Sequence, residues 1–532
     1  MLGSSWLGSP LVASATRFAS AALADEADLF GLGVASGCLG ADGVVLWTRL
    51  DPAPQHRQGG FGDLSAAGLG EHRPDNSRES LTISDPVVVR WAIASDEAML
   101  HPVASGAVTA AADDGHAVRV EVGHLAPDRW YWYRFAAAGS RSRIGRTRTL
   151  PARDARHRRL RIAIASCQNY EHGYYAAYRH LLADEPDLIV HLGDYVYEGT
   201  WGKDLVRPLG LPEARTLADY RERYAIYRRD PDLQAAHAAV PWIMVWDDHE
   251  VANDYARLTP EWLHDADTFA RRRTDAYRAW FEHMPVPQAM APRDGTTRIH
   301  RALTVGDLAT IYLLDSRQYR SVQACPRPSR GGGNAVEPAS CNALADPSRT
   351  MLGVDQENWL ASSFGRSRTR WNLIGQQTLM APLALPGPAA TPSRVRTDGW
   401  DGYPVARQRL VDSMTRQRLS NPVVIGGDLH AFYVADLAAG PHPDSAIAAA
   451  EFVGTSITSQ APGQGYYDRV RAANAHLRYA NGTQRGYLRM TVTRDRIEVD
   501  LVGLDDSRRA DSAARIQSAW VVEDGRPGAW PA

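Results

Sequence analysis

The chain has 532 residues, and 59 basic against 61 acidic side chains give a formal charge of −2. That length exceeds one ordinary core and predicts two domains, while the even charge balance excludes the basic excess on which nucleic-acid binding relies. No run approaches the roughly 18 consecutive apolar residues of a membrane span.

In residues 1–27 the first 24 are small and apolar and end in Ala22-Leu23-Ala24 just before Asp25-Glu26. They are expected to be the remnant of an export signal with a small-residue cleavage site, although the charged opening of such a signal is missing. From 28 to 150 short alternating runs follow one another: GVVLWTRL, PVVVRWAIA, HAVRVEV and RWYWYRFAAA. This predicts a fibronectin- or immunoglobulin-like antiparallel β-sandwich. Its strand, corner and aromatic strand fall between Val118 and Phe135.

An arginine-rich linker, 151–158, precedes a change of rhythm. From 158 to 510 apolar runs (LRIAIAS, DLIVHLG, WIMVW, ATIYLLD, WNLIGQQ and PVVIGGD) alternate with helical stretches at 174–183, 268–283 and 405–413. The expectation is a layered α/β domain of mixed β-sheets flanked by helices. Inside it the irregular stretch 320–350 carries Cys325 and Cys341, predicted to form a disulfide and to mark an oxidising compartment. Leu488 to Leu504 reads as a closing hairpin, and 511–532 as a polar C-terminal tail.

In layered α/β folds ligands gather beyond the carboxyl ends of strands, and the chemistry-bearing residues cluster there. Cys167 follows RIAIA; Asp194 and Tyr197 follow DLIV in HLGDYVYEG; Asp247-Asp248-His249-Glu250 and Asn253 follow WIMVW; Asp428 and His430 follow PVVI. Each motif alone also fits an ordinary turn. Together, a carboxylate able to bridge two cations, a thiolate, a phenolate and an imidazole compose a metal centre.

The series ASCQNYEHGYY, HLGDYVYEG, WDDHEVANDY, AYRAWFEHMP and IGGDLH resembles the PhoD-type alkaline phosphatase and phosphodiesterase family of the metallophosphoesterase superfamily. Carried over to this chain, the resemblance implies Fe3+ on Cys167, Asp194, Tyr197 and His430. It also implies Ca2+ on Asp194, Asp248, Asn253 and Asp428. His249 is then the residue that positions phosphate or protonates the leaving oxygen, with Glu250 orienting its ring, and Arg272 or Arg273 is a candidate grip on a phosphate oxygen. Trp400 and Tyr403 are expected to pack near the site. The Asp of the family's SGD turn is replaced here by Cys38.

The implied reaction is in-line attack of a metal-activated hydroxide on a phosphate mono- or diester, with an alkaline optimum because thiol and phenol bind metal once deprotonated. The implied setting is a periplasmic or secreted monomer exported by the twin-arginine route. One alternative is a phospholipase D-like phosphodiesterase acting on phospholipid headgroups. The other is a non-enzymatic surface binding protein that uses metal only for stability.

Overall fold

Runs rich in Val, Ile and Leu form strands because branched side chains pack well on a pleated surface. A computed structural model describes residues 29–51, 85–386, 393–440 and 445–532, so the segment read as an export signal lies outside the described residues. Two large sheets face each other. The first has ten strands with a parallel centre, Arg159–Ala165, Leu188–His191 and Trp242–Met244. The second has seven, with Ala309–Leu313, Trp371–Gly375, Pro422–Gly426 and Ile447–Val453 running parallel.

Both faces of these central strands are covered, which explains why they read as continuous apolar runs rather than alternating ones. Ile162, Ile164, Val190 and Ile243 from the first sheet share a buried cluster with Ile311, Leu313, Leu373 and Ile425 from the second. Helices Ala176–Ala183, Leu217–Arg228, Pro231–Ala239 and Ala266–His283 lend side chains to that cluster. On the outer face of the second sheet, Ile374 and Val424 pack with Leu360 and Phe364 of Val354–Arg366 and with Leu410 of Pro404–Arg416. The result is a stack of helix, sheet, sheet and helix.

Two sequence expectations need correcting. The β-sandwich has one sheet of its own, built on Val87–Ala94, Pro102–Ala110 and Trp130–Ala137. Its other face is borrowed. Val34–Cys38, Val44–Arg49 and Ala117–Val122 extend the ten-stranded sheet, joined to it through Gly37 opposite Trp242. Residues 511–532 are no tail either, since Ala514–Glu523 and Arg526–Pro531 form a hairpin at the far edge of the same sheet. Asp524-Gly525, with the glycine at φ +73°, makes the two-residue turn; such a pair between strands favours a hairpin. Trp520, Val522 and Ala529 are buried by it.

Cys325 and Cys341 are disulfide-bonded across a sequence separation of 16. The bridged loop leans on the segment after Asp248: the Gly333 amide donates to Asp254 Oδ2 at 3.0 Å, and Arg330 pairs with Glu261 at 2.7 Å. Closing a loop of this size removes freedom from the unfolded chain. Cys341→Ser is therefore expected to cost about 3 kcal/mol, read as a lower denaturant midpoint. An unchanged midpoint would mean that the loop is held without the bridge.

Candidate metal centre

Three turns at the carboxyl ends of strands from the two sheets converge on one point. Between them they carry four residues in the left-handed backbone region, which is costly for anything but glycine: Cys167 (φ +57°), Asp194 (+56°), Asp428 (+63°) and His430 (+53°). Such conformations cost on the order of 1–3 kcal/mol each and persist where the surroundings enforce them. Two glycines make the convergence possible. A Cβ on Gly193 would lie 2.4 Å from Asp247 Cβ, and one on Gly427 2.5 Å from Ser166 Oγ.

Cys167, Asp194 and His430 present donor atoms within 4.8 Å of one another. Tyr197 joins them, its hydroxyl 3.0 Å from Asp194 Oδ2, 3.1 Å from His430 Nε2 and 2.6 Å from Ser459 Oγ. His430 Nδ1 lies 2.7 Å from the Gln460 carbonyl, an arrangement that fixes the ring and turns Nε2 toward the cluster. Beside this set, Asp247, Asp248 and Asp428 form a second group of carboxylates, and Asp194 is shared with a third that contains Asp248 and His249.

The electrostatics of the bare side chains favour a cation. Burial pushes the Cys167 thiol well up, and the Asp194 carboxylate adds to it; the Tyr197 phenol rises for the same two reasons. Asp194 itself is driven well above the usual carboxylate range by burial and by Asp248, Glu250 and Asp428. Burial raises Asp428 to about 6, although Arg317 opposes the shift. Burial lowers His430 to about 3, leaving a neutral imidazole. Asp194 Oδ1, buried, has no hydrogen-bond partner. Buried charges need a partner or a metal. A thiolate, a phenolate and an imidazole around one carboxylate suit Fe3+, and the oxygen-rich side suits Ca2+.

The surroundings revise several sequence expectations. Glu250 does not orient His249. Its carboxylate instead accepts the backbone amides of Asp194 (3.0 Å), Tyr195 (2.7 Å) and Asp247 (2.9 Å), tying two strand ends together. The residue against His249 is Glu198, with Oε2 2.7 Å from Nδ1. Burial disfavours the His249 cation, yet Glu198, Asp194 and Asp248 outweigh it and hold its pKa well above the ordinary value.

Asn253 donates its amide N–H to Glu198 Oε1 at 2.8 Å, and its side chain bonds Glu261. Arg272 pairs with Glu213 at 2.7 Å and donates to Tyr220 Oη at 2.9 Å. Arg273 donates to the carbonyls of Arg257 and Gly295. Each arginine thus has part of its fork engaged within the protein, while Arg273 Nε, and Arg272 Nη2 apart from its ion pair with Glu213, are buried without a hydrogen-bond partner; after His249, the Arg272 charge also helps hold the Glu198 carboxylate below its usual range. Trp400 and Tyr403 are packed, bonded to Gln376 and to the Ser321 carbonyl. Cys38 is a buried free thiol in the shared sheet.

Sequence reasoning missed Arg317. It follows the Ala309–Leu313 strand in LLDSRQYRS, is fully buried, and lies among four carboxylates. Its guanidinium bonds Asp247 and grips Asp398 at 2.8 and 3.0 Å, with Asp248 at 3.5 Å and Asp428 at 3.6 Å. A fixed cation there offsets charge repulsion and holds the oxygen-rich half in shape. The signal was an arginine two residues beyond Asp315 at another strand end, legible only once that strand is seated beside the others.

Comparison with known proteins is consistent with this geometry. The PhoD-like phosphatase family model matches residues 162–501, and the model of the N-terminal domain of PhoD-like phosphatases matches 15–151. Alkaline phosphatase D of Bacillus subtilis (strain 168) is 38% identical over 512 residues, covering 94% of this chain and 82% of that protein. A solved structure of PhoD superposes with a TM-score of 0.85 at 36% identity, over 96% of this chain and 93% of the other. Purple acid phosphatase PPD1 from yellow lupin (Lupinus luteus) seeds shares the fold, with a TM-score of 0.52 at 10% identity over 93% of this chain and 74% of its own.

Proposed function

This chain belongs to the PhoD-like phosphatase family and is a phosphoric ester hydrolase of the alkaline phosphatase D type; from that premise we propose that it works outside the cytoplasm through an Fe3+ and Ca2+ centre. The observation that carries the proposal is the meeting of Cys167, Asp194, Tyr197 and His430 from separate strand ends in one buried cluster. Cys167, Tyr197 and His430 would hold Fe3+, Asp194 would be shared, and Asp248, Asp428 and Asn253 would serve Ca2+. For Asn253 this requires its side chain to turn from Glu261. Bound there, the cations supply charge neutralisation for the phosphoryl oxygens and make water acidic enough to furnish the nucleophile.

The chain's own residues do the rest. Glu198 holds His249 by Nδ1, leaving the other ring nitrogen to donate a proton to the departing oxygen or to bind a phosphoryl oxygen. Against the penalty of burial, His249 and then Arg272 hold the Glu198 carboxylate below its usual range and keep it ionised. Glu250 locks the turn carrying Asp194 to the turn carrying Asp247. Arg317 keeps Asp248 and Asp428 from repelling each other apart. The Cys325–Cys341 disulfide supports an oxidising, extracytoplasmic setting.

The test is turnover of p-nitrophenyl phosphate and bis-p-nitrophenyl phosphate with and without mild chelation. Activity should vanish on chelation and return with calcium, because hard-cation sites exchange more readily than thiolate-bound iron. Turnover that survives complete chelation, or full recovery with zinc or magnesium alone, would contradict the proposal.

A further inference from the structure

A chain of ring contacts leads from Tyr197 in the buried cluster through His249 to Trp201. The Tyr197 ring lies 4.2 Å from that of His249, and the Trp201 indole meets the His249 ring edge-on at 5.3 Å and 71°. Tyr197 and His249 are buried, whereas Trp201 is 38% exposed. A large aromatic side chain left open beside a buried catalytic histidine is unusual on energetic grounds, since burying it would be favourable.

The turn that carries the indole is held by its backbone. The Trp201 carbonyl lies 2.7 Å from His172 Nε2, and the Gln460 amide N–H donates to His172 Nδ1 at 3.2 Å. Gln460 is also the residue whose carbonyl fixes the metal-ligand ring of His430. The Gln460 side chain bonds both the amide and the carbonyl of Lys203. Between them Gly202 has φ +76°, and a Cβ there would meet Gln460 Oε1 at 2.6 Å and His172 Nε2 at 2.7 Å, so this tight contact needs glycine. On the other side Gly199 leaves room, with Trp201 Nε1 3.8 Å from where its Cβ would be. The turn is clamped by its backbone to the same segment that orients His430, while the indole stays uncovered.

We propose that Trp201 is a specificity-determining residue, an aromatic wall on a held turn against which the leaving group of the ester lies, so that the enzyme favours esters whose first group beyond the bridging oxygen is flat and apolar. The inference rests on the phosphate-ester reading and on the role given there to His249. If His249 serves the departing oxygen, the atoms beyond that oxygen pass the next ring outward, which is Trp201. A flat group gains an aromatic contact there, and a small alkyl group does not.

The test separates binding from turnover by using two non-hydrolysable probes, phenylphosphonate and methylphosphonate, titrated calorimetrically into the metal-loaded wild-type protein and its Trp201→Ala and Trp201→Phe variants. Wild type should bind phenylphosphonate about tenfold more tightly than methylphosphonate, the scale of one good aromatic contact. Trp201→Ala should abolish that preference by weakening phenylphosphonate alone, and Trp201→Phe should restore most of it. Metal content should be equal in all three. Equal affinity of wild type for both probes would overturn the inference while leaving the phosphate site intact, as would a parallel loss of both in Trp201→Ala. Failure of wild type to bind either phosphonate would overturn the phosphate-ester reading and the inference with it.

Discussion

Replacing Asp194 by Asn should strip the centre of both cations and lower turnover of p-nitrophenyl phosphate by at least about 10³-fold, roughly 4 kcal/mol of barrier. Asp194 is the carboxylate common to the thiolate, phenolate and imidazole group on one side and to the Asp248 and His249 group on the other. The substitution isolates charge from shape. Asparagine tolerates the left-handed backbone that residue 194 adopts at φ +56° better than other residues would, and its amide keeps the size of the carboxylate. The backbone N–H of residue 194 would still reach Glu250. Elemental analysis of the purified variant checks the claim: retention of both metals would show that Asp194 is not the shared ligand.

His249→Ala should separate binding from chemistry. Both metals should remain while the rate falls by something like 10²-fold or more, the usual scale for a lost acid or positioning group. The variant leaves the buried Glu198 carboxylate with the amide of Asn253 and the nearby charge of Arg272, so a modest loss of stability should accompany it. Assays well below the melting temperature keep the two effects apart. If the variant loses metal, His249 is a ligand rather than a proton donor, an outcome its place beside Asp194 and Asp248 makes worth measuring.

How far the sequence reached can be judged from these same residues. The positions that meet in the buried cluster were legible because each follows a short, largely apolar run, and such runs end where a layered sheet opens to ligands. Asp194 after DLIV and Asp428 after PVVI are of this kind. Contacts between turns were not legible. Glu250 adjoins His249 in sequence while Glu198 lies 51 residues away in another turn, and only the packing shows that Glu198 meets the His249 ring while Glu250 collects backbone amides. Arg317 was hidden because its strand belongs to the opposite sheet. The sandwich was read from alternation, correctly as strands, but alternation cannot reveal that Val34–Cys38 pairs with a strand of the other domain. The terminal hairpin was lost to its polar residues, although Asp524-Gly525 between Val522 and Trp530 carried the turn signal.

The account stands most directly on the ligand set around Fe3+, and a phenolate or thiolate on ferric iron absorbs visible light. The decisive measurement is therefore the visible spectrum of the purified protein, with its iron content, alongside that of Tyr197→Phe. The native protein should be coloured and contain iron, and loss of the phenolate should bleach or shift the band. A colourless, iron-free protein with full phosphatase activity would contradict the account.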